Sequence, residues 1–446
     1  MRIFSSYQVL SSPGNVDWEK RKIIVFQSDD WGLCGWCPDL EAYREVLDKD
    51  ENLRYLEHGK STLESPEDME RLFDVLLKYK GGDGRPPIFQ AAYIMSNPDY
   101  DAIRESGCKI YSDLVIPEVP SRWQRGDFIA KAKEGIKMGL WHPVYHGNSH
   151  FNRFKWIKLI RAKDKTTMLA FKHQTFINMS DSYEYDPKLK TAQQETSIST
   201  GIRRFYDVFG YYPKSAICPG YVWQNKTEKI LAKYGIKVIQ GKNLQEIKRS
   251  FPAKVRGKLI NWMGQKASDK PWQISMGDYN PRLKIYYLNR NVYFEPFGGR
   301  NPQHGAEGAY KGIVSAWERN EPAVVCTHRI NYVYLDDKWV EESLNQLDLL
   351  LSKIQTEHPE AVYLTDWEVV QLYEKGTSTI RRGSSIICRN YSSSKMDVRI
   401  EIPQGYKVGN VVDLRRKKSM NYTIGDKILL FTADIGDYEV ILQKEE

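Results

Sequence analysis

The sequence predicts an α/β protein built on a parallel sheet, followed by a small all-β unit. Three observations predict it. Short apolar runs alternate with helix-period segments up to about residue 375. Polar residues sit directly after several of those runs. Beyond Gly376 the helical period is lost, and strand-length segments joined by turn residues take over.

The elements follow in order. Ile23-Ile24-Val25-Phe26 is a buried strand running into Ser28-Asp29-Asp30. Ser65 caps a helix with Pro66 in its first turn, and Met69, Leu72, Phe73 and Leu76 form its apolar face. Residues 81–84 stop it, and Ile88-Phe89-Gln90-Ala91-Ala92-Tyr93 is the next strand. Ile198, Ile202, Phe205 and Phe209 lie at helical spacing before Gly210, a C-terminal cap. A strand over 215–218 ends at Pro219-Gly220-Tyr221. Asn225 and Glu228 open a helix that Gly235 closes before Ile236-Lys237-Val238-Ile239. Ala323-Val324-Val325-Cys326 ends at Thr327-His328, and Leu344, Leu347, Leu351 and Ile354 face a further helix. A last strand over 361–364 precedes the capping box Thr365-Asp366-Trp367-Glu368. Strands then follow at 384–390, 396–402, 408–413, 427–433 and 438–443. Alternation as in Val398-Arg399-Ile400-Glu401-Ile402 predicts an antiparallel sandwich. The expected units are 1–376 and 377–446.

Composition narrows the class. The 446 residues suffice for a large core and more than one domain. Hydrophobic residues at 41% and charged residues at 27% describe an ordered globular protein. The excess of 65 basic over 57 acidic residues, +8, is too dilute to specify nucleic acid. No apolar run reaches the ~18–20 residues of a membrane span. Residues 1–18 show no basic region followed by an apolar stretch, so the cytoplasm is the expected compartment. Six scattered cysteines argue against a disulfide framework. Cys34-Gly35-Trp36-Cys37 lacks the second pair that a structural zinc needs, so two packed thiols are expected.

Two clusters can carry chemistry. Three of the eight histidines fall in Trp-His-Pro-Val-Tyr-His-Gly-Asn-Ser-His, at His142, His146 and His150. Pro143 and Gly147 argue for a strand end and turn rather than one helix. His146 and His150 are then within reach of one cation, and His142, which shares a face with His146 on the strand, is a candidate to line the site and meet substrate without being a ligand. A packed histidine cluster is the competing reading. Asp29-Asp30 shifts the balance, because adjacent carboxylates ending a buried strand are costly without a cation. One carboxylate with two imidazoles leaves coordination positions open for water and substrate. A turn pair or helix cap is the alternative for Asp-Asp.

In order and strand context these motifs resemble the polysaccharide deacetylases of carbohydrate esterase family 4. Gln27-Ser28-Asp29-Asp30 resembles the first motif, Thr-Phe-Asp-Asp. His146-Gly147-Asn148-Ser149-His150 is similar to the second, and Cys218-Pro219-Gly220-Tyr221 to the third, Arg-x-Pro-Tyr. Cys326-Thr327-His328 matches the last. The resemblance covers about residues 20 to 375. It implies a distorted (β/α) barrel of the glycoside hydrolase/deacetylase type, carrying a divalent metal ion with zinc first. It implies Asp30, His146 and His150 as ligands, Asp29 as general base and His328 as general acid. The Tyr221 N–H would hold the oxyanion. The implied reaction hydrolyses N- or O-acetyl groups on a carbohydrate. A glycoside hydrolase on the same barrel, or a non-catalytic carbohydrate-binding protein, is the alternative.

The chain departs from the pattern at two points of the third motif. Cys218 replaces the arginine that orients the base, and Gly220 replaces proline. Arg329, beside His328, is the candidate substitute for the arginine. Glu295, after Val292-Tyr293-Phe294, is the candidate second carboxylate, with a structural pairing role as the alternative. Trp31, Trp141 and Trp223 flank the motifs and are the candidate stacking platforms for sugar rings, ordinary core being the alternative. The expected partner is a carbohydrate, with an acidic polysaccharide the best match to the +8 charge. The sequence does not define an oligomeric state.

Overall fold

The computed structural model describes residues 8–9, 16–47, 57–179, 182–242, 245–247 and 272–445. Most of the stretch read for a leader, residues 1–7 and 10–15, lies outside them. The principal sheet holds parallel strands β1 (Ile23–Trp31), β2 (Phe89–Tyr93), β3 (Trp141–Tyr145), β4 (Ser215–Ile217) and β5 (Val238–Lys242). Strands β6 (Ile285–Arg290), β7 (Val292–Tyr293), β8 (Ala323–His328) and β9 (Val362–Tyr363) complete the parallel set. Across the sheet the order is β6-β5-β4-β3-β2-β1-β8-β7, and β9 also pairs with β1. Short antiparallel strands at Asp278–Asn280 and Gln8–Val9 extend the β6 edge.

The two ends of this order fall on one stretch of chain. Residues of β6 pair with β5, and after Asn291 the next two residues pair with β8. Asn291 makes the break by accepting from the Val324 N–H at 2.8 Å and donating to the Pro322 carbonyl at 3.1 Å.

Helices supply the crossovers. They are α1 (Pro66–Leu77), α2 (Phe128–Met138), α3 (Thr191–Phe209), α4 (Asn225–Lys233), α5 (Ala306–Glu318), α6 (Asp337–Glu357) and α7 (Asp366–Lys375). The Ser65 cap is completed by Asp68, and the Thr365 cap by Glu368. Met69, Leu72, Phe73 and Leu76 of α1 pack with Phe89 and Trp141 in the main core. Every residue of β1 is buried, as in a parallel sheet covered on both faces.

Helix α7 ends at Gly376, whose φ of 69° only glycine adopts freely, and β10 (Thr377–Arg382) starts at once. With β11 (Ser385–Asn390), β12 (Met396–Glu401), β13 (Tyr406–Asp413), β14 (Ile428–Ala433) and β15 (Gly436–Lys444) it forms two antiparallel sheets. Ile386, Ile400, Val411, Leu429 and Val440 come from both sheets and share one apolar cluster. Arg389 ties these sheets to the parallel part: its guanidinium meets Asp83 at 2.8 Å, Glu368 at 3.3 Å and Asp437 at 2.5 Å. All six cysteines are free. No helix among the described residues is long and apolar enough to cross a membrane.

Candidate active site

The site lies at the carboxyl ends of β1, β3, β6 and β8, and a break in β1 builds it. Pairing with β2 shifts register between Ser28 and Trp31, and Asp30 has φ +73°. This bulge abolishes the strict alternation of a strand. Consecutive carboxylates therefore serve two adjacent clusters.

Asp30 faces the histidines. Its Oδ1 lies 3.4 Å from His146 Nε2 and 3.5 Å from His150 Nε2. His146 directly follows β3, and the chain then turns through Gly147 (φ +97°) and His150 (φ +65°). The four-residue spacing is thus a turn; the following helix begins only at Arg153, capped by Asn152. His146 Nδ1 is 3.2 Å from the Ile217 carbonyl oxygen. A carbonyl only accepts, so Nδ1 carries a proton, and Nε2 is the ring nitrogen turned to Asp30. Burial pushes the His150 pKa down to about 4, with His146 acting the same way and Asp30 opposing. Burial alone would raise the Asp30 pKa, but the surrounding imidazoles hold it below the usual range. Two imidazole nitrogens and an ionised carboxylate thus converge on one point, with all three ligand atoms within 4.8 Å of one another. Ligands on a tetrahedral zinc at 2.0–2.1 Å stand about 3.3 Å apart, so the two Asp30–imidazole spacings suit a shared cation.

Asp29 belongs to the second cluster. Arg290, the last residue of β6, donates from Nη2 to Oδ1 at 2.5 Å and from Nη1 to Oδ2 at 2.6 Å. Its other N–H groups reach Gln27, Gln240 and the Tyr221 hydroxyl at 2.9, 3.1 and 2.8 Å. Burial opposes the Asp29 charge, but Arg290 outweighs it and holds the pKa below the usual range. His328 Nε2 approaches Asp29 Oδ2 at 3.6 Å, and His328 Nδ1 meets Glu295 Oε1 at 2.5 Å. Burial works against the imidazolium, yet the charge and hydrogen bond of Glu295 raise its pKa well above 6.5. His328 is therefore a protonated acid at neutral pH, beside a carboxylate that stays ionised.

Glu295, Cys326 and His328 also lie close enough to be considered a ligand set. Arg290 Nη1 is 3.3 Å from Cys326 Sγ, and a guanidinium at that distance opposes a second cation.

Several expected residues have other places. Trp31 and Trp141 are 0% and 1% exposed and meet edge to face at 4.6 Å. Trp223 is 2% exposed, with its Nε1–H donated to Glu228 at 3.0 Å. All three are core, so none offers a face to a sugar. Arg329 is fully buried and pairs with Glu64 at 2.7 Å, away from Asp29; Arg290 holds that carboxylate instead. Glu295 has both oxygens engaged, one by His328 and the other by the Asn331 amide at 2.7 Å, so it pairs within the site rather than meeting substrate. The Tyr221 N–H donates to the Cys218 carbonyl at 2.8 Å, closing a tight turn and removing it as an oxyanion donor. Gly220 explains that turn's departure from the family pattern. The Tyr183 ring packs on it so closely that a Cβ would sit 2.1 Å from Tyr183 Cε1.

His142 does not line the site. It begins β3, about 13 Å of strand before His146, and stacks on Tyr211 at 6.0 Å. Burial, assisted by Arg382 and opposed by Glu368, pushes its pKa down to about 4 from an ordinary 6.5. Between those values the unfolded chain binds a proton that the fold rejects. Its contribution to stability therefore falls as pH drops through that window. His142→Gln is expected to flatten this limb by roughly 2 kcal/mol, read from urea midpoints at pH 7 and pH 4.5. Unchanged pH dependence in the variant counts against this account.

Two residues near the site carry no motif. His58 stands 6.3 Å from the His328 ring and 5.4 Å from Trp36, centroid to centroid. Arg290 closes the apolar run Ile285-Tyr286-Tyr287-Leu288-Asn289, and an arginine ending a buried strand was the signal available for it.

No family model matches the chain, and no curated protein matches it. Solved structures do. A novel carbohydrate deacetylase, Agd3, matches at 10% identity over 95% of this chain and 66% of its own, with a TM-score of 0.42. A family 4 carbohydrate esterase from Streptomyces lividans matches at 9% identity over 76% of this chain and 89% of its own, at 0.30. A CE4-family pseudoenzyme from Bacillus anthracis matches at 8% identity over 80% of this chain and 67% of its own, at 0.32.

Proposed function

We propose that this chain is a carbohydrate deacetylase dependent on a divalent metal ion, zinc being the first candidate. One observation carries the reading: Asp30 Oδ1 stands 3.4 and 3.5 Å from the Nε2 atoms of two imidazoles, His146 and His150. A carboxylate facing two imidazole nitrogens needs either shared protons or a cation, and the ligand chemistry suits zinc. When bound, the ion would polarise the acyl oxygen and lower the pKa of the attacking water. Asp29, oriented by Arg290, takes the proton of that water. Each Asp29 oxygen gives one lone pair to Arg290 and keeps another for this purpose. His328, kept protonated by Glu295, delivers a proton to the departing amine or alcohol. A glycosidase would need a second free carboxylate, and Glu295 is committed to His328 and Asn331.

The same reading takes residues 1–376 as a barrel closed through Asn291 and 377–446 as an accessory sandwich. Pairing of residues 285–290 with β5 and 292–293 with β8 supports closure.

The test uses chitooligosaccharides and acetylated xylan as substrates. One equivalent of zinc per chain is expected, with acetate released, activity lost to a chelator and regained on adding the metal. Absence of a stoichiometric divalent ion rejects the metal reading. Reducing ends formed without acetate reject deacetylation in favour of glycoside cleavage.

A further inference from the structure

The loop that bears both histidines is held from behind by one buried carboxylate. Glu184 is 3% exposed and lies beyond every motif of the site. Its Oε2 accepts the backbone N–H groups of Asn148 at 3.0 Å, Ser149 at 3.1 Å and His150 at 3.1 Å. Its own N–H donates to the His150 carbonyl at 3.1 Å. Helix α3 fixes the carboxylate through Ser197, whose hydroxyl donates to Oε1. The same helix anchors the loop a second time, since Arg204 donates to Asn148 Oδ1 at 2.9 Å while paired with Asp113.

Three successive N–H groups aimed at one point form a concave anion site, and here the anion is part of the chain. The loop backbone fits it closely. A Cβ at Gly147, where φ is +97°, would lie 2.4 Å from Glu184 Oε2. Gly147 and the left-handed His150 are the conformations needed to turn these amides inward.

We propose that Glu184 is a positioning residue for the metal site, presetting the His146–His150 loop so that both Nε2 atoms face Asp30 before any ion arrives. The inference rests on the metal reading above. It adds a component outside the ligand set, acting through backbone amides rather than through a ligand ring. Loss of such an outer partner typically weakens metal affinity 10–100-fold. Glu184→Gln tests it, because the isosteric amide keeps the volume but removes the charge and puts an NH2 donor where one carboxylate oxygen now accepts.

Zinc affinity is measured by competition with a chromophoric chelator on the whole chain, wild type, Glu184→Gln and Ser197→Ala. Thermal midpoints and hydrogen exchange at amides 148–150 are measured on the zinc-free proteins. The expected result is 10–100-fold weaker zinc binding in Glu184→Gln, with faster exchange at those three amides. Ser197→Ala should show a smaller loss in the same direction. Should Glu184→Gln fail to fold, Ser197→Ala alone decides, since it leaves the carboxylate on the loop. Zinc affinity equal to wild type in the folded variants overturns the role of Glu184. Failure of the wild-type chain to bind zinc overturns the metal reading instead, and amide protection in the zinc-free protein still reports whether the clamp exists.

Discussion

Asp30→Asn abolishes retention of one equivalent of zinc and lowers acetate release by about a thousandfold or more. A protein zinc site is worth roughly 10–16 kcal/mol over its ligands, so each ligand carries about 3 kcal/mol. That is about two orders of magnitude in affinity. The activity loss is larger because the ion also supplies several kcal/mol of transition-state stabilisation. Stability of the zinc-free protein falls too at neutral pH, because the imidazoles around the buried Asp30 hold its pKa below the usual range and the ionised carboxylate therefore stabilises the fold. His150→Ala should match it in metal loss, because His150 Nε2 is the other arm of the same triangle. Metal content by atomic emission and acetate release by a coupled assay check both variants. Full zinc content in either one shows that the cation is held elsewhere.

The helices and strands that position this triangle were legible because their signals are local. Ser65-Pro66 with the Met69, Leu72, Phe73 and Leu76 stripe specifies α1 within one segment. Five of the strands after Gly376 were found within about two residues from alternation along their own length, whereas Thr377–Arg382 was not anticipated. Asp29, Asp30, His146, His150 and His328 were legible as a set because each follows an apolar run. Strands β6 and β7 and helix α5 were not anticipated in full, and Arg290 went with them. Arg290 acts through a contact spanning 261 residues, and no local pattern encodes which strand end meets Asp29. Glu184 is hidden for the same reason, since its partners are backbone amides that any sequence supplies. The tryptophans misled because composition reports how many aromatics exist and not which way they face. A tryptophan next to a strand-end motif is as well placed for the core as for the mouth, and Trp31 against Trp141 takes the core. His142 misled through the period of a strand. It shares a face with His146, but four residues of extended chain put them at opposite ends.

Arg290→Met destabilises the protein by about 3–5 kcal/mol at neutral pH and removes most activity. The pair with Asp29 is almost fully buried, with side chains 0% and 3% exposed. Deleting one partner of such a pair leaves an uncompensated charge, which is where that magnitude comes from. Methionine keeps the bulk but donates none of the hydrogen bonds to Asp29, and it leaves Gln27, Gln240 and Tyr221 without the Arg290 donor. The pH dependence separates this from a packing defect. In the wild type the Asp29 pKa is depressed, so its stabilising contribution is present above the unfolded carboxylate value and is lost as pH falls through the folded one. In the variant, burial is opposed only by the His146 and His328 imidazoles, so that pKa rises and the ionised form loses stabilisation at neutral pH, a loss that fades on acidification. The gap between the two proteins is therefore widest near pH 7 and narrows toward pH 4, as urea midpoints across that range will report. Adding Asp29→Asn to Arg290→Met should recover part of the lost stability, since the charge that needed the guanidinium is gone. It should recover no activity, because the base is gone with it. Arg290→Lys restores the charge without the two-pronged geometry and should fall between, closer to wild type in stability than in turnover. A loss below about 1 kcal/mol in Arg290→Met, or a gap that does not change with pH, would mean that Arg290 is not the counter-ion of Asp29.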